Sequence, residues 1–491
     1  MTHALNRRRF LQTLAASAAA AAMPRFLRAA GTERRPNFVF ILVDDLGWRD
    51  VGCFGSTFYE TPNIDRLARE GMRFTDAYAA CPVCSPTRAS ILTGKNPARL
   101  HLTNFLVGQR WPADSPIVNI PDWQKFLPLE EVTIAEALKE AGYATGYVGK
   151  WHLGNTPYTP EAQGFDFNKG GCHMGAPKTY FDPYSIPNLP DRKKGEYLTD
   201  RLADEAIRFI EAHRDKPFFL YFAHYAVHVP LQAKDDRTAK YAAKAKAMAA
   251  TDVPEFGQEG RNRVRQVQNH PVYAGMVESV DDSVGRVMKK LADLGLDDNT
   301  IIFFFSDNGG LSTAEGWPTS NLPLRAGKGW LYEGGIREPT IIKWPGVTPP
   351  GSVCDTPVIS DDFYPTFLHM AGVGLRPKQH MDGTSLVPLL RRESGWRRDT
   401  LSWHYPHYSN QGGAPAGAIR QGDWKLIEYF EDGRLELHNL RDDLGEQKDL
   451  ATAMPEKARE LQTMLAEWRR SVGAQMPGRR PESKPKESEN G

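Results

Sequence analysis

The chain lacks any pattern that would pair its cysteines. It has five, an odd count that leaves at least one sulfur over and excludes a closed disulfide framework. Cys53, Cys172 and Cys354 stand alone, and only Cys81 and Cys84 are close. A Cys-x-x-Cys pair by itself fits a redox couple, half of a zinc site or simply buried thiols, and no second close pair completes a zinc site. Charge of one sign is lacking too. The formal net charge is +1, which excludes a polyanion-coating surface. Nucleic acid is therefore not an expected partner, and an anionic substrate has to be held by a local cluster of charge. The sequence has no internal repeat. Its N-terminal apolar run is too short for a permanent membrane span, so no stable membrane insertion is expected.

What is present is an ordinary soluble composition, 41% apolar and 25% charged over 491 residues, long enough for two domains of which one is large. The start of the chain reads as an address. Asn6-Arg-Arg-Arg-Phe-Leu-Gln12, followed by an alanine-rich run to Ala22, has the form of a twin-arginine export signal. Residues 1–30 are set apart from the fold on that ground, with cleavage after Ala22 or near Ala30. The expected destination is the periplasm or the exterior of a bacterium, and the twin-arginine export machinery is an expected partner. Because it carries folded proteins, side-chain chemistry has to be finished in the cytoplasm.

Strands and helices then alternate, and chemistry-bearing residues follow the strands. Asn37 to Val43 is an almost continuous apolar run ending in Asp44-Asp45, the pattern of a buried parallel strand. Two adjacent carboxylates repel unless a cation or a proton relieves them; alone, they equally fit a solvated turn. Ala89 to Gly94 reads as a helix that sets its N-terminus beside Cys84, an end that favours an anion. Thr133-Ile-Ala-Glu136 is a capping box, and the strand Ala144 to Val148 leads to Lys150 and His152. Lys216 to Ala223 leads to His224 and His228, and Asn299 to Phe305 leads to Asp307 and Asn308, with Lys328 beyond. Between them Gln232 to Gly260 is a polar surface excursion, and Tyr273 to Leu294 an amphipathic helix. Open α/β sheets take ligands at the carboxyl ends of their strands. The expected fold is α/β, a mostly parallel central sheet sandwiched by helices, over residues 35–374. A small C-terminal antiparallel sheet with a helix follows over 375–475, and a disordered tail over 476–491.

Cys84-Ser-Pro-Thr-Arg88 has the spacing Cys-x-Pro-x-Arg and resembles the segment of type I sulfatases in which cysteine is oxidised to formylglycine. With the strand-end residues, the chain is similar over nearly its whole length to the arylsulfatase A-like branch of that family, within the alkaline phosphatase superfamily. The resemblance implies an alkaline phosphatase-like fold and one divalent cation, Ca2+, held by Asp44, Asp45, Asp307, Asn308 and the modified Cys84. Hard oxygen donors suit calcium or magnesium. It also implies roles. Formylglycine at position 84, hydrated to a gem-diol, attacks sulfur with one hydroxyl, and deprotonation of the other expels sulfate and restores the aldehyde. Asp307 assists the attack, His152 is the base for elimination, Arg88 and Lys150 anchor the diol, and Lys328 and His228 serve the leaving oxygen. Relatives often carry proline directly before this histidine, where this chain has Val227.

A sulfatase-maturing enzyme is then a further partner. The expected substrate is a sulfated carbohydrate, with aryl sulfates turned over as well; His173, Arg110, His404 and His407 are candidates for its pocket, since aromatic and histidine-rich loops suit a sugar ring. Two other functions remain open at this point: a phosphate or phosphonate monoesterase of the same superfamily, and a catalytically silent, metal-dependent glycan-binding protein.

Overall fold

The computed structural model describes residues 34–106, 115–248 and 252–479. The expected export signal, Arg110 and the chain after Arg479 lie outside the described residues. Asn37–Val43 is apolar and buried along its whole length, as a strand covered on both faces requires. It lies inside an eight-stranded sheet in the order Ser352–Cys354, Met72–Phe74, Thr340–Lys343, Thr300–Ser306, Asn37–Val43, Phe218–Ala223, Ala144–Gly149, Phe167–Lys169. Only Thr340–Lys343 runs against the rest.

Alternation along the central strand divides the core. Val39, Ile41 and Val43 pack on one face with residues of Leu198–Ala212 and Pro271–Asp293, among them Leu202, Phe209, Val277 and Val284. Phe38, Phe40 and Leu42 face the other way, toward Ile91, Ile134, Phe363 and Phe367. A period of two puts successive side chains on opposite faces, and a helix layer covers each.

Register brings the ends of four strands level. Val43 lies opposite Ser306, Leu42 opposite Ala223, and Ala223 opposite Gly149. The segments that follow these strands therefore leave the sheet along one edge.

A separate four-stranded antiparallel sheet, Leu401–Tyr405, Ala416–Gln421, Trp424–Tyr429 and Leu435–Asn439, packs one face on the helix Pro455–Val472 through Ile419, Leu426, Leu437, Leu461 and Leu465. Its other face, with Trp403 and Tyr405, shares a core with Tyr78, Cys81, Val83 and Ile336.

Two stretches are more ordered than their sequence suggests. The polar excursion contains a helix, Asp235–Ala247, and one strand of a hairpin, Phe256–Glu259 with Asn262–Arg265. Alanine and lysine are good helix formers even where little is buried. At the start of the expected tail, Gly478–Arg479 pairs with Ile117–Asn119, a contact made by backbone groups and invisible to side-chain patterning.

Candidate active site

The helix that carries the cysteine motif begins a full turn earlier than its sequence suggests, at Cys84, and all ten residues to Thr93 are buried. Pro86 fits because the first N–H groups of a helix have no partner within it. Cys84 and Arg88, four apart, share one face of the helix. No side chain caps its N-terminus, which leaves backbone donors and the positive end of the helix dipole at Cys84. Gly94 closes the helix in the left-handed region, φ 67°, donating to Ser90 O.

The level strand ends deliver the rest. Arg88 binds Asp307 Oδ2 through Nε at 2.8 Å and Nη2 at 2.7 Å, and donates from Nη1 to Lys150 O at 2.7 Å. Lys150 Nζ donates to Asp44 Oδ2 at 2.6 Å, and Lys328 Nζ reaches both oxygens of Asp45 at 2.7 and 2.8 Å. His228 Nε2 lies 3.6 Å from Asp45 Oδ2, while its Nδ1 faces Val229 O at 2.9 Å. Cys84 Sγ lies 3.3 Å from His152 Nδ1, and His152 Nε2 lies 2.9 Å from Leu106 O. A carbonyl only accepts, so the proton of the neutral ring is on Nε2 and Nδ1 is the acceptor. Asp45 and His152 take left-handed backbone, φ 61° and 54°, uncommon away from glycine and held here by these ties.

Burial dominates the electrostatics. It raises Asp44 well above the carboxylate range, against Lys150. It works the same way on Asp45, but Lys328, with His228 and Lys150, holds that carboxyl down at about 2. Burial keeps His152 well below the usual histidine range, with Lys150 adding to it, and holds His228 at about 3, with Lys328 adding. The Cys84 thiol is pushed up by burial in spite of Lys150 and Lys328.

Three carboxylates, Asp44, Asp45 and Asp307, offer oxygens within 4.8 Å of one another. Asp44 Oδ1 and Asn308 Oδ1 are buried and accept no hydrogen bond from the described residues. Asn308 reaches Asp45 Oδ1 through Nδ2 at 2.7 Å. An all-oxygen set with unused acceptors fits a hard divalent cation. Arg88, Lys150 and Lys328 balance the three acids, so a dication would leave the cluster net positive and ready for an anion.

Residues 36–373 match the sulfatase family, and residues 326–471 match the C-terminal region of N-sulphoglucosamine sulphohydrolase. The chain belongs to the sulfatase family. It is 35% identical to a sulfatase of Formosa agariphila, over 86% of this chain and 85% of that one. It is 36% identical to human N-acetylgalactosamine-6-sulfatase, over 74% and 67%. The crystal structure of Ps i-CgsB with k-i-k-neocarrahexaose superposes with a TM-score of 0.73 at 32% identity, covering 90% of this chain and 94% of that one. As a sulfatase, the protein is a sulfuric ester hydrolase.

The remaining residues singled out in the sulfatase sequence divide. His173 is exposed, on the loop where Cys172 O accepts from His152 N at 3.1 Å. His404 and His407 are not brought to an open pocket. His404 is buried with Nε2 at 2.9 Å from Gln475 O, and His407 is buried with Nε2 at 2.8 Å from Thr103 Oγ1 and its ring against Trp123. His404 lies in the strand Leu401–Tyr405 against Phe430, and His407 lies just beyond it, so packing occupies both rings. Arg110 is among the residues not described. His224 is also internal, on Ser283 Oγ at 3.2 Å.

One residue that positions the site was passed over. Asp50, fully buried, accepts from Gly47 N, Thr319 Oγ1, Gln268 Nε2 and Tyr273 OH, and so fixes the turn that presents Asp44 and Asp45. Burial raises it to about 6. A third acid in the same short segment was the available signal.

Proposed function

We propose that the protein hydrolyses a sulfate monoester of a carbohydrate and releases inorganic sulfate, with residue 84 working as formylglycine and one calcium ion held by Asp44, Asp45, Asp307 and Asn308. The observation that carries this reading is the uncapped helix N-terminus at residue 84 beside Arg88, Lys150 and Lys328, a site that becomes positive and suited to a tetrahedral anion once the acids hold a dication. A thiol held protonated by burial is a weak nucleophile, which supports a modified side chain there. When present, the formylglycine hydrate supplies the attacking hydroxyl, and the calcium ion adds positive charge at the sulfate.

The residues of the chain do the proton work. Asp307, paired with Arg88, receives the proton of the attacking hydroxyl. His152, neutral and accepting at Nδ1, takes the proton whose loss releases sulfate from residue 84. Lys328 and His228, both facing Asp45, stand at the leaving oxygen, and Lys328, kept charged by Asp45, supplies its proton. Arg88 and Lys150 hold residue 84 and the acids in register.

The carbohydrate is supported by relatives whose names or bound ligands are carbohydrate ones, an N-acetylgalactosamine-6-sulfatase and Ps i-CgsB with k-i-k-neocarrahexaose. Simple aryl sulfates are turned over as well. Residues 35–374 form the catalytic part and 375–475 the C-terminal part. A sulfatase-maturing enzyme acts first, and export through the twin-arginine machinery to the periplasm or beyond follows. The test is a comparison of matched 4-nitrophenyl esters with protein co-produced with a maturing enzyme. Sulfate is expected to be hydrolysed faster than phosphate, and dominant phosphate hydrolysis would overturn the reading.

A further inference from the structure

The loop after the strand Phe167–Lys169 lies against the base itself. Cys172 O accepts from His152 N at 3.1 Å, and three residues further on Gly175 meets the His152 ring. A Cβ placed on Gly175 would stand 2.6 Å from Cε1, 2.7 Å from Nε2 and 3.0 Å from Nδ1 of that imidazole. Distances so alike put it over the face of the ring, because an approach along the edge at Cε1 would leave both nitrogens farther off. Carbon atoms rest about 3.5–4.0 Å from their neighbours, so nothing larger than hydrogen fits at position 175 while the ring stays where it is. Space alone makes this demand. Gly175 does not take left-handed backbone, so alanine is not barred there by its φ.

Both partners are tied in place. His152 Nε2 is 2.9 Å from Leu106 O, Leu106 N donates to Ser85 Oγ at 3.2 Å, and that hydroxyl donates to His152 O at 2.9 Å. The loop is fastened at both ends. Gly170 O accepts from Tyr225 OH at 2.8 Å, and Gly171 exchanges hydrogen bonds of 2.9 and 3.0 Å with the Asn168 side chain. At its far end, Tyr180 OH lies 2.7 Å from Tyr225 O and 2.8 Å from His228 O. A side chain at position 175 therefore cannot be absorbed by a loose loop, and the ring has to move.

We propose that Gly175 is a positioning residue for His152: by carrying no side chain, it lets the loop close on the ring and keep Nδ1 aimed at residue 84. The proposal rests on the sulfatase reading above, in which His152 takes the proton whose loss releases sulfate, and deepens it by naming what holds that base. A methyl group at position 175 pushes the ring back by about 1 Å. A misplacement of that size costs on the order of 100-fold in rate. The cost falls on kcat, because Gly175 acts through the base.

The experiment is a double-mutant cycle on matured protein: kcat and KM on 4-nitrophenyl sulfate for wild type, Gly175→Ala, His152→Ala and the double variant. Gly175→Ala is expected to lower kcat about 100-fold, with a far smaller change in KM. In the His152→Ala background the same substitution is expected to cost less than about threefold, since the group it acts through is gone. A crystal structure of Gly175→Ala should show the imidazole about 1 Å farther from residue 84 than in wild type. Undiminished kcat in Gly175→Ala or in His152→Ala, equal losses in the two backgrounds, or a ring left in place overturns the proposal. If Gly175→Ala does not fold, the double variant is expected to fold, because the ring that bars the methyl group has been removed; a double variant that also fails to fold overturns it too. Wild type that hydrolyses 4-nitrophenyl phosphate and no sulfate removes the sulfatase reading instead, and the same cycle on the phosphate then decides the role of Gly175.

Discussion

Cys84 Sγ and His152 Nδ1 stand 3.3 Å apart, although one residue opens a buried helix and the other follows the strand Ala144–Gly149. The bond between Ser85 Oγ and His152 O, 2.9 Å, ties the same two segments again. The direction of the contact is set from behind, by the Leu106 carbonyl on Nε2. Whatever occupies residue 84 therefore meets a proton acceptor.

That contact makes residue 84 the first to test. The tryptic peptide from Phe74 to Arg88, taken from protein made beside a maturing enzyme, should be lighter than the cysteine form by about 18 Da, whereas thiol oxidation would add mass. Cys84→Ala should abolish turnover and leave the thermal transition within a few degrees of wild type, since alanine fits the space of the buried side chain. Wild-type activity in that variant would refute the assignment.

His152→Ala should lower kcat about 100- to 10,000-fold, the usual contribution of a positioned base, with a much smaller change in KM. Glycosyl or aryl sulfate turnover measured over a range of substrate concentration separates the two. A pure KM effect would make His152 a binding residue only.

Chelation should silence the enzyme without unfolding it. EGTA is expected to reduce kcat about 100-fold or more, with recovery on adding calcium. The fold should survive, because Arg88 and Lys150 and Lys328 still pair with the three carboxylates, so the thermal midpoint should shift by only the linkage contribution of the lost ion. Activity indifferent to EGTA would exclude an exchangeable cation.

The sequence was most informative where one physical rule acts alone. Continuous apolar runs gave the central strands nearly to the residue, because a strand buried on both faces admits little else, and among the residues after them Asp44, Asp45, Lys150, Asp307 and Asn308 are brought together by the fold. The capping box at Thr133 is present as written. What stayed illegible depends on distant partners. The early start of the helix at Cys84 depends on packing against Ser360 and its neighbours, and the short strand Gly478–Arg479 depends on backbone pairing. His404 and His407 look like pocket residues because histidine and aromatics serve cores and sugars alike; only their neighbours tell which.

The C-terminal sheet is fastened to the catalytic segment by a buried charge cluster. Lys425 Nζ lies 2.9 Å from Glu333 Oε1 and 2.8 Å from Glu446 Oε1, all three fully buried. Lys425→Met should cost about 3–5 kcal/mol in urea unfolding, because it leaves the buried Glu446 without its cation, while Glu333 keeps Arg337 at 3.2 Å. Adding Glu446→Gln to that variant should restore part of the loss. A change below about 1 kcal/mol in the single variant would mean the cluster is not coupled to global stability.

Acid should loosen the same region. Burial holds His404 at about 4, below the ordinary value near 6.5. The unfolded chain then binds a proton that the folded one refuses, so stability is fully present above about 6.5 and falls as the pH drops toward 4, by up to about 3 kcal/mol. The thermal midpoint of His404→Gln should fall less steeply than that of wild type between pH 6.5 and 4. Parallel curves would assign the acid sensitivity elsewhere.

The pairing of Asn37–Val43 with Thr300–Ser306 has a consequence measured in seconds. Arg88 gains Asp307, and Ser90 gains Ser360, only once those residues have been synthesised. At ordinary rates of translation, the ribosome needs about 10 to 40 s to pass from Cys84 to Thr300. Throughout that interval the cysteine motif is outside any finished core, and afterwards it is held in a buried helix. Nascent chains stalled before residue 300 should label at Cys84 with a maleimide much faster than completed, unmatured protein, in which burial holds the thiol protonated. The spacing of the sheet along the chain thus acts as a clock, and any modification of residue 84 has the most room before it runs out.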